Sequence, residues 1–195
     1  MKSMRKSTPS LKTPCGVKEQ KALLRARKKE ELRLLAQSYI EQSDAVIAKK
    51  LSELPEYKSA GIIFAYYSVG REVSSHALIR AAVRSGRRLA LPVSGDGGHM
   101  HFRLVYDLDE LVPGRFGIPE PVVGAVVTPA RDDIIIVPAL CCDRSNKRLG
   151  HGAGYYDRYL SEHPCFSVCL CRARLIEYSL PVEKTDVRMD MVISD

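Results

Sequence analysis

At 195 residues, 45% hydrophobic and 27% charged, the chain has the size and composition of one globular core. No apolar run reaches bilayer length, and six cysteines without metal-ligand spacing argue against a zinc module or a disulfide scaffold, so a cytoplasmic protein with reduced thiols is expected. The net charge of +7 invites a nucleic-acid reading, but ten of the 30 basic residues fall within positions 1–30, and by difference the other 165 residues carry 20 basic and 21 acidic groups.

Residues 1–17 are polar, carry Pro9, Pro14 and Gly16, and read as a disordered basic tail, which leaves one domain over residues 18–195. Neither proline nor glycine occurs from Val17 to Leu54, so residues 18–53 are expected to be helical. At about 100° per residue, Lys21 falls on the face of Leu32, Leu35 and Tyr39, with Arg25 about 40° away. The core-facing stripe thus begins with two cations, a pattern suited to a cationic end that overhangs a pocket.

Residues 61–67 read as a buried strand. Ser74 or Ser75 is expected to cap a helix that runs to about Arg84 and ends at Gly86. Residues 89–93 form a second strand, and the glycine turn at 95–98 leads into a third at 99–105. Pro113 to Pro129 reads as a Pro/Gly-rich loop, followed by strand 134–138, helix 155–161 and strand 166–170. Strands alternating with helices predict an α/β fold, a mostly parallel sheet with helices on both faces. Ligands in such sheets bind beyond the carboxyl ends of strands, where three segments stand: 67–72, the glycine run after strand 134–138, and the chain after 170.

That glycine run, Arg148-Leu-Gly-His-Gly-Ala-Gly-Tyr-Tyr-Asp-Arg158, is the most informative stretch. Alternating Gly150, Gly152 and Gly154 let backbone N–H groups converge on an anion, and the following helix adds its positive end. Lys147 and Arg148 flank it with cations, and Asp157 is suited to a divalent ion. The plain alternative is a turn joining a strand to a helix. The spacing matches neither a Walker A loop nor a dinucleotide fingerprint, so it indicates phosphate without naming the phosphate.

With these residues in order, the chain resembles the 5-formyltetrahydrofolate cyclo-ligase (5,10-methenyltetrahydrofolate synthetase) family over about residues 18–195. The motifs are Lys21-x-x-x-Arg25, Tyr67 with Glu72-Val73, Gly114-Arg-Phe-Gly-Ile-Pro-Glu-Pro121, Val137-Pro138 followed by Asp143, the Arg148–Arg158 run, and Pro181-x-Glu183-x-x-Asp186. The resemblance implies the three-layer fold of ribose-5-phosphate isomerase and CoA-transferase relatives. It also implies an ATP- and Mg2+-dependent ring closure of 5-formyltetrahydrofolate, with ADP and phosphate released. By similarity, ATP is held by Lys21, Arg25, Arg148, Leu149, Gly150, His151, Gly152, Ala153, Gly154, Tyr155 and Tyr156. The folate falls to Tyr67, Glu72 and the shared residues His151 to Tyr155, magnesium to Asp157 and Asp186, and catalysis to Arg148 and Tyr155. A monomer is expected, acting on the folate with or without a polyglutamate tail, with no membrane and no nucleic acid as partner.

The chain departs from many members at His151, Ala153, Arg174 and Thr185, and Arg174 bears on folate contacts. Two alternatives remain at this point: a non-catalytic RNA-binding relative of the same fold, or the same ATP chemistry on another small formamide or pterin.

Overall fold

A computed structural model describes residues 16–195; the expected tail, up to Cys15, lies outside the described residues. In chain order the elements begin with helices α1 (Val17–Leu34), α2 (Gln37–Glu53) and α3 (Pro55–Ser59), strand β1 (Ile63–Phe64) and helix α4 (His76–Arg84). Strands β2 (Leu89–Ser94), β3 (Met100–Val105), β4 (Leu111–Pro113), β5 (Pro119–Pro121) and β6 (Val126–Val127) follow. The rest is β7 (Ile134–Pro138), β8 (Cys141–Cys142), β9 (Arg148–Leu149), helix α5 (Tyr155–Glu162), β10 (Phe166–Leu170) and β11 (Met191–Ile193).

The main sheet runs β11-β10-β7-β1-β2-β3-β6. The first five strands are mutually parallel, and β3 and β6 add an antiparallel edge. Period-two alternation divides its side chains cleanly. Ile63, Leu89, Ile134, Ile136 and Val168 face Ile47, Leu51, Ile79 and Ala82 from α2 and α4. Phe64, Ala90, Ile135, Val137 and Cys169 face Tyr159 and Leu160 from α5, with Leu24 and Leu32 of α1 at the margin. The central strands are buried on both faces, which is why they read as continuous apolar runs. Each fully buried aliphatic side chain here contributes roughly 1.5–3 kcal/mol relative to exposure. The expected α/β architecture, mostly parallel with helices on both faces, is present.

Several local expectations are corrected. The helix foreseen over 18–53 starts at Val17 and breaks at Leu35 and Ala36, which both adopt extended dihedrals. No proline or glycine causes this break: Arg71, from a distant loop, donates to the Leu35 carbonyl and to that of Leu32, which also accepts the Leu35 amide. Tertiary capping supplies what local propensity does not. The expected loop at 113–129 contains the antiparallel β4–β5 hairpin and edge strand β6. A second hairpin, β8–β9, stands between β7 and the glycine run. Ser75 occupies the N-cap of α4 without capping it; its hydroxyl instead donates to the Tyr66 carbonyl at 2.6 Å. No helix among the described residues is long and apolar enough to cross a membrane.

Candidate active site

The β8–β9 hairpin delivers Arg148. Its turn is built on Asp143, which is 2% exposed and accepts hydrogen bonds from the Ser145 amide and hydroxyl and the amides of Lys147 and Leu180. Burial works against the Asp143 charge, but those four donors outweigh it and hold its pKa below the usual value. The chain then leaves the hairpin as the glycine run. Gly152 (φ 116°) and Gly154 (φ 73°) take positive dihedrals that a side chain strongly disfavours, and Gly154 is the N-cap of α5. The first N–H groups of α5 therefore open into the cleft with no side-chain cap.

Three cations from distant parts of the chain line the cleft beside this loop. Arg25 Nε donates to the Gly150 carbonyl at 2.9 Å. One turn earlier on α1, the buried Lys21 Nζ lies 2.7 Å from Asp186 and 2.9 Å from Glu183. Burial disfavours the Lys21 ammonium, yet its hydrogen bonds to Asp186 and Glu183 prevail and raise its pKa above 10.5. Arg148 Nη2 stands 3.0 Å from Asp157 Oδ1, close in distance but poorly aligned. Its Nε and Nη2 hydrogens, both shielded from solvent, find no hydrogen-bond acceptor among the described residues. A buried guanidinium with spare donors beside a glycine loop is a ready anion site.

The two expected metal ligands are drawn together by the backbone. Asp157 Oδ1 accepts the amide of Val187, the residue after Asp186, while Asp186 Oδ2 accepts the amide of Glu183. No cluster of three or more His, Cys, Asp or Glu able to hold a metal occurs among the described residues. Two carboxylates beside an anion site fit Mg2+, which keeps several waters and completes its shell with phosphate oxygens.

The folate candidates come from the β1–α4 loop. Ser68 and Ser75 exchange amide-to-hydroxyl hydrogen bonds across that loop at 3.0 and 3.1 Å. Tyr67 packs its ring on His76, 4.7 Å between centroids. Glu72 accepts the Val69 amide through Oε2 and holds Oε1 3.2 Å from His151 Nε2 of the glycine run. Tyr155 donates its hydroxyl to the Gly95 carbonyl at 3.3 Å, tying α5 to the β2–β3 turn. Burial pushes the neighbouring Tyr156 hydroxyl far up in pKa.

The residues given to ATP, folate, magnesium and catalysis all line one cleft of about 1150 Å³, whereas Lys147 and Arg174 do not, Arg174 lying over the Tyr39 ring. Sequence reasoning missed a second wall formed by Pro92, Ser94, Met100, Phe116, Ile118 and Glu120. Pro92 and Ser94 belong to β2 and Met100 to β3; the hairpin that carries Phe116, Ile118 and Glu120 resembled a loop, although the Gly114–Pro121 motif marked the place.

With this geometry, comparison with known proteins is decisive. Residues 17–195 match the model of the 5-formyltetrahydrofolate cyclo-ligase family. A 5-formyltetrahydrofolate cyclo-ligase of Mycolicibacterium smegmatis is 35% identical, covering 70% of this chain and 74% of its own. A probable 5-formyltetrahydrofolate cyclo-ligase of Schizosaccharomyces pombe is 28% identical, covering 88% and 93%. The solution structure of Aquifex aeolicus 5,10-methenyltetrahydrofolate synthetase superposes with a TM-score of 0.79 at 28% identity, over 89% of this chain and 88% of that one. Match, fold and cleft agree, and the chain belongs to the 5-formyltetrahydrofolate cyclo-ligase family of enzymes.

Proposed function

We propose that this protein closes 5-formyltetrahydrofolate to 5,10-methenyltetrahydrofolate at the expense of ATP, with Mg2+ required. The observation that carries the reading is the buried Arg148, with two donor atoms unmatched, at the start of a glycine loop that Arg25 also reaches, in a cleft that Lys21 lines. Lys21, Arg25 and Arg148 take the triphosphate together with the N–H groups of Gly150 to Tyr156. Tyr67, Glu72 and the His151–Tyr155 stretch hold the folate against it. Asp157 and Asp186 would hold the magnesium ion, which would supply neutralisation of phosphate charge.

The N5-formyl group is an amide and a poor electrophile. Its oxygen attacks the γ-phosphorus, the bond from that phosphorus to the β–γ bridging oxygen breaks, and ADP departs. N10 then attacks the activated formyl carbon and loses its proton. The carbon–oxygen bond breaks with its electrons to phosphate, leaving the conjugated methenyl bridge. The protein's share is positioning and charge: Arg148 offers a planar, multi-donor partner to the phosphoryl group in flight. Tyr155, anchored to Gly95, keeps the folate face aligned with it.

The test is direct. Purified protein with ATP, Mg2+ and 5-formyltetrahydrofolate should show rising near-ultraviolet absorbance from the amidinium product. A non-hydrolysable ATP analogue should give none. No change with any of these, alongside salt-sensitive RNA binding, would replace this reading with that of a non-catalytic relative.

A further inference from the structure

The second wall of the cleft contains a carboxylate with no cation partner among the described residues. Glu120 is 6% exposed and forms no ion pair with any described residue. Its one hydrogen bond comes from the Ser94 amide to Oε1 at 3.2 Å. An ionised carboxylate removed from water without a cation is costly, so such a group has a use for donors that come and go.

The seat of this carboxylate is built for it. β5 sets Glu120 opposite Val112 of β4, and the hairpin tip is tied down where Arg115 donates to the Gly95 carbonyl at 2.9 Å. Within the hairpin Gly114 lies directly beneath the Glu120 side chain. A Cβ at position 114 would fall 2.2 Å from Glu120 Cδ and Oε2, so the chain leaves that place without a side chain. Around the carboxylate the wall is apolar, with Pro92, Met100, Phe116 and Ile118. Every cation assigned to phosphate comes instead from α1 and the glycine run, and none of them pairs with Glu120.

We propose that Glu120 recognises the pterin ring of the folate, accepting hydrogen bonds from N3–H and the 2-amino group. This deepens the assigned function and rests on it. A carboxylate offers about four lone-pair sites, of which the Ser94 amide uses one. The pterin edge presents two adjacent donors in the parallel arrangement that a carboxylate matches bidentately. The edge of adenine pairs its amino donor with the N1 acceptor, which would face a carboxylate oxygen with repulsion. The chemistry at Glu120 thus selects pterin over the nucleotide base.

Three binding measurements by calorimetry on the full chain decide the matter: 5-formyltetrahydrofolate, its analogue with a 2-methyl group in place of the 2-amino group, and Mg-ATP. Wild type should bind the analogue on the order of 10- to 100-fold more weakly than the parent. Glu120→Gln keeps the volume and the Ser94 hydrogen bond, and it should weaken the parent about 10-fold while shrinking the parent–analogue gap. Mg-ATP affinity should stay unchanged. Equal binding of parent and analogue to wild type overturns the assignment even if the variant proves unstable, as does a Glu120→Gln loss confined to Mg-ATP. If wild type fails to bind the parent at all, the cyclo-ligase reading falls and this subsite falls with it.

Discussion

Lys21 and Asp186 stand 165 residues apart in sequence, yet the ammonium lies 2.7 Å from one carboxylate oxygen and 2.8 Å from the other. Arg148 and Asp157 form a second such pair. Two of the three cations proposed for phosphate thus lie against the carboxylates proposed for magnesium, while Arg25 is held by the Gly150 carbonyl. On the proposed function, Mg-ATP would exchange these partners, with phosphate at the cations and the metal at the carboxylates, so that neither charge would be left alone in a half-buried site.

The first expectation follows from that exchange. Mg2+ without nucleotide should bind poorly, and each ligand should tighten the other by roughly 10-fold or more. Asp157→Asn and Asp186→Asn should each reduce this coupling. Calorimetric titration of Mg2+ in the presence and absence of a non-hydrolysable ATP analogue measures it. Tight magnesium binding to the nucleotide-free protein would refute the exchange.

Arg148→Lys preserves charge and discards the planar fork. If the unmatched Nε and Nη2 donors serve the phosphoryl group, as proposed, kcat should fall on the order of 10²-fold or more, with a smaller change in ATP affinity. Single-turnover absorbance measurements at saturating ATP separate the two. A variant that loses affinity but not kcat would make Arg148 a binding residue only.

How far the sequence reached depends on the range of the interaction responsible. The sheet was legible because residues 134–138 and 166–170 are apolar on both faces, and the glycine run because its dihedral needs are local. The cationic start of the α1 stripe pointed correctly to a pocket, although its supposed continuation to Tyr39 fails where Arg71 splits the helix. Edge strands β6 and β11, of two and three residues, carry too little pattern to read and are held by their neighbours. Glu120 was hidden for a different reason. It sits in a stretch of Pro and Gly that has loop composition, and only the folded hairpin shows that its carboxylate is buried and unpaired.

Asp143 should govern acid stability. Its folded pKa lies below the usual aspartate value of 3.8, so its stabilising contribution is present above that value and disappears as pH falls through the lower folded value. Asp143→Asn should cost roughly 1–3 kcal/mol at neutral pH, because the Ser145, Lys147 and Leu180 amides lose a charged acceptor. The gap between variant and wild type should narrow below pH 3.8. Denaturant melts across that range check it; a gap constant with pH would assign the loss to shape rather than charge.

Arg172 should prove the most sensitive position away from the cleft floor. It is 1% exposed, its Nη1 lies 2.7 Å from Asp44, and its Nη2 donates to the Glu72 carbonyl at 2.9 Å. It therefore joins α2 to the loop that carries Glu72, a residue proposed to bind the folate. Arg172→Ala leaves Asp44 without its cation and the carbonyls of Arg71 and Glu72 without their donor. Removing one partner of a buried pair costs about 3–5 kcal/mol, so denaturant unfolding should show a loss of that order. Asp44→Ala added to Arg172→Ala should cost less than the sum of the two, since the stranded charge is gone. At temperatures where Arg172→Ala remains folded, affinity for 5-formyltetrahydrofolate should drop more than that for Mg-ATP, because the clamp holds Glu72 directly and reaches the glycine run only through the Glu72–His151 pair. Equal losses for both ligands would show Arg172 to be a general support of the fold.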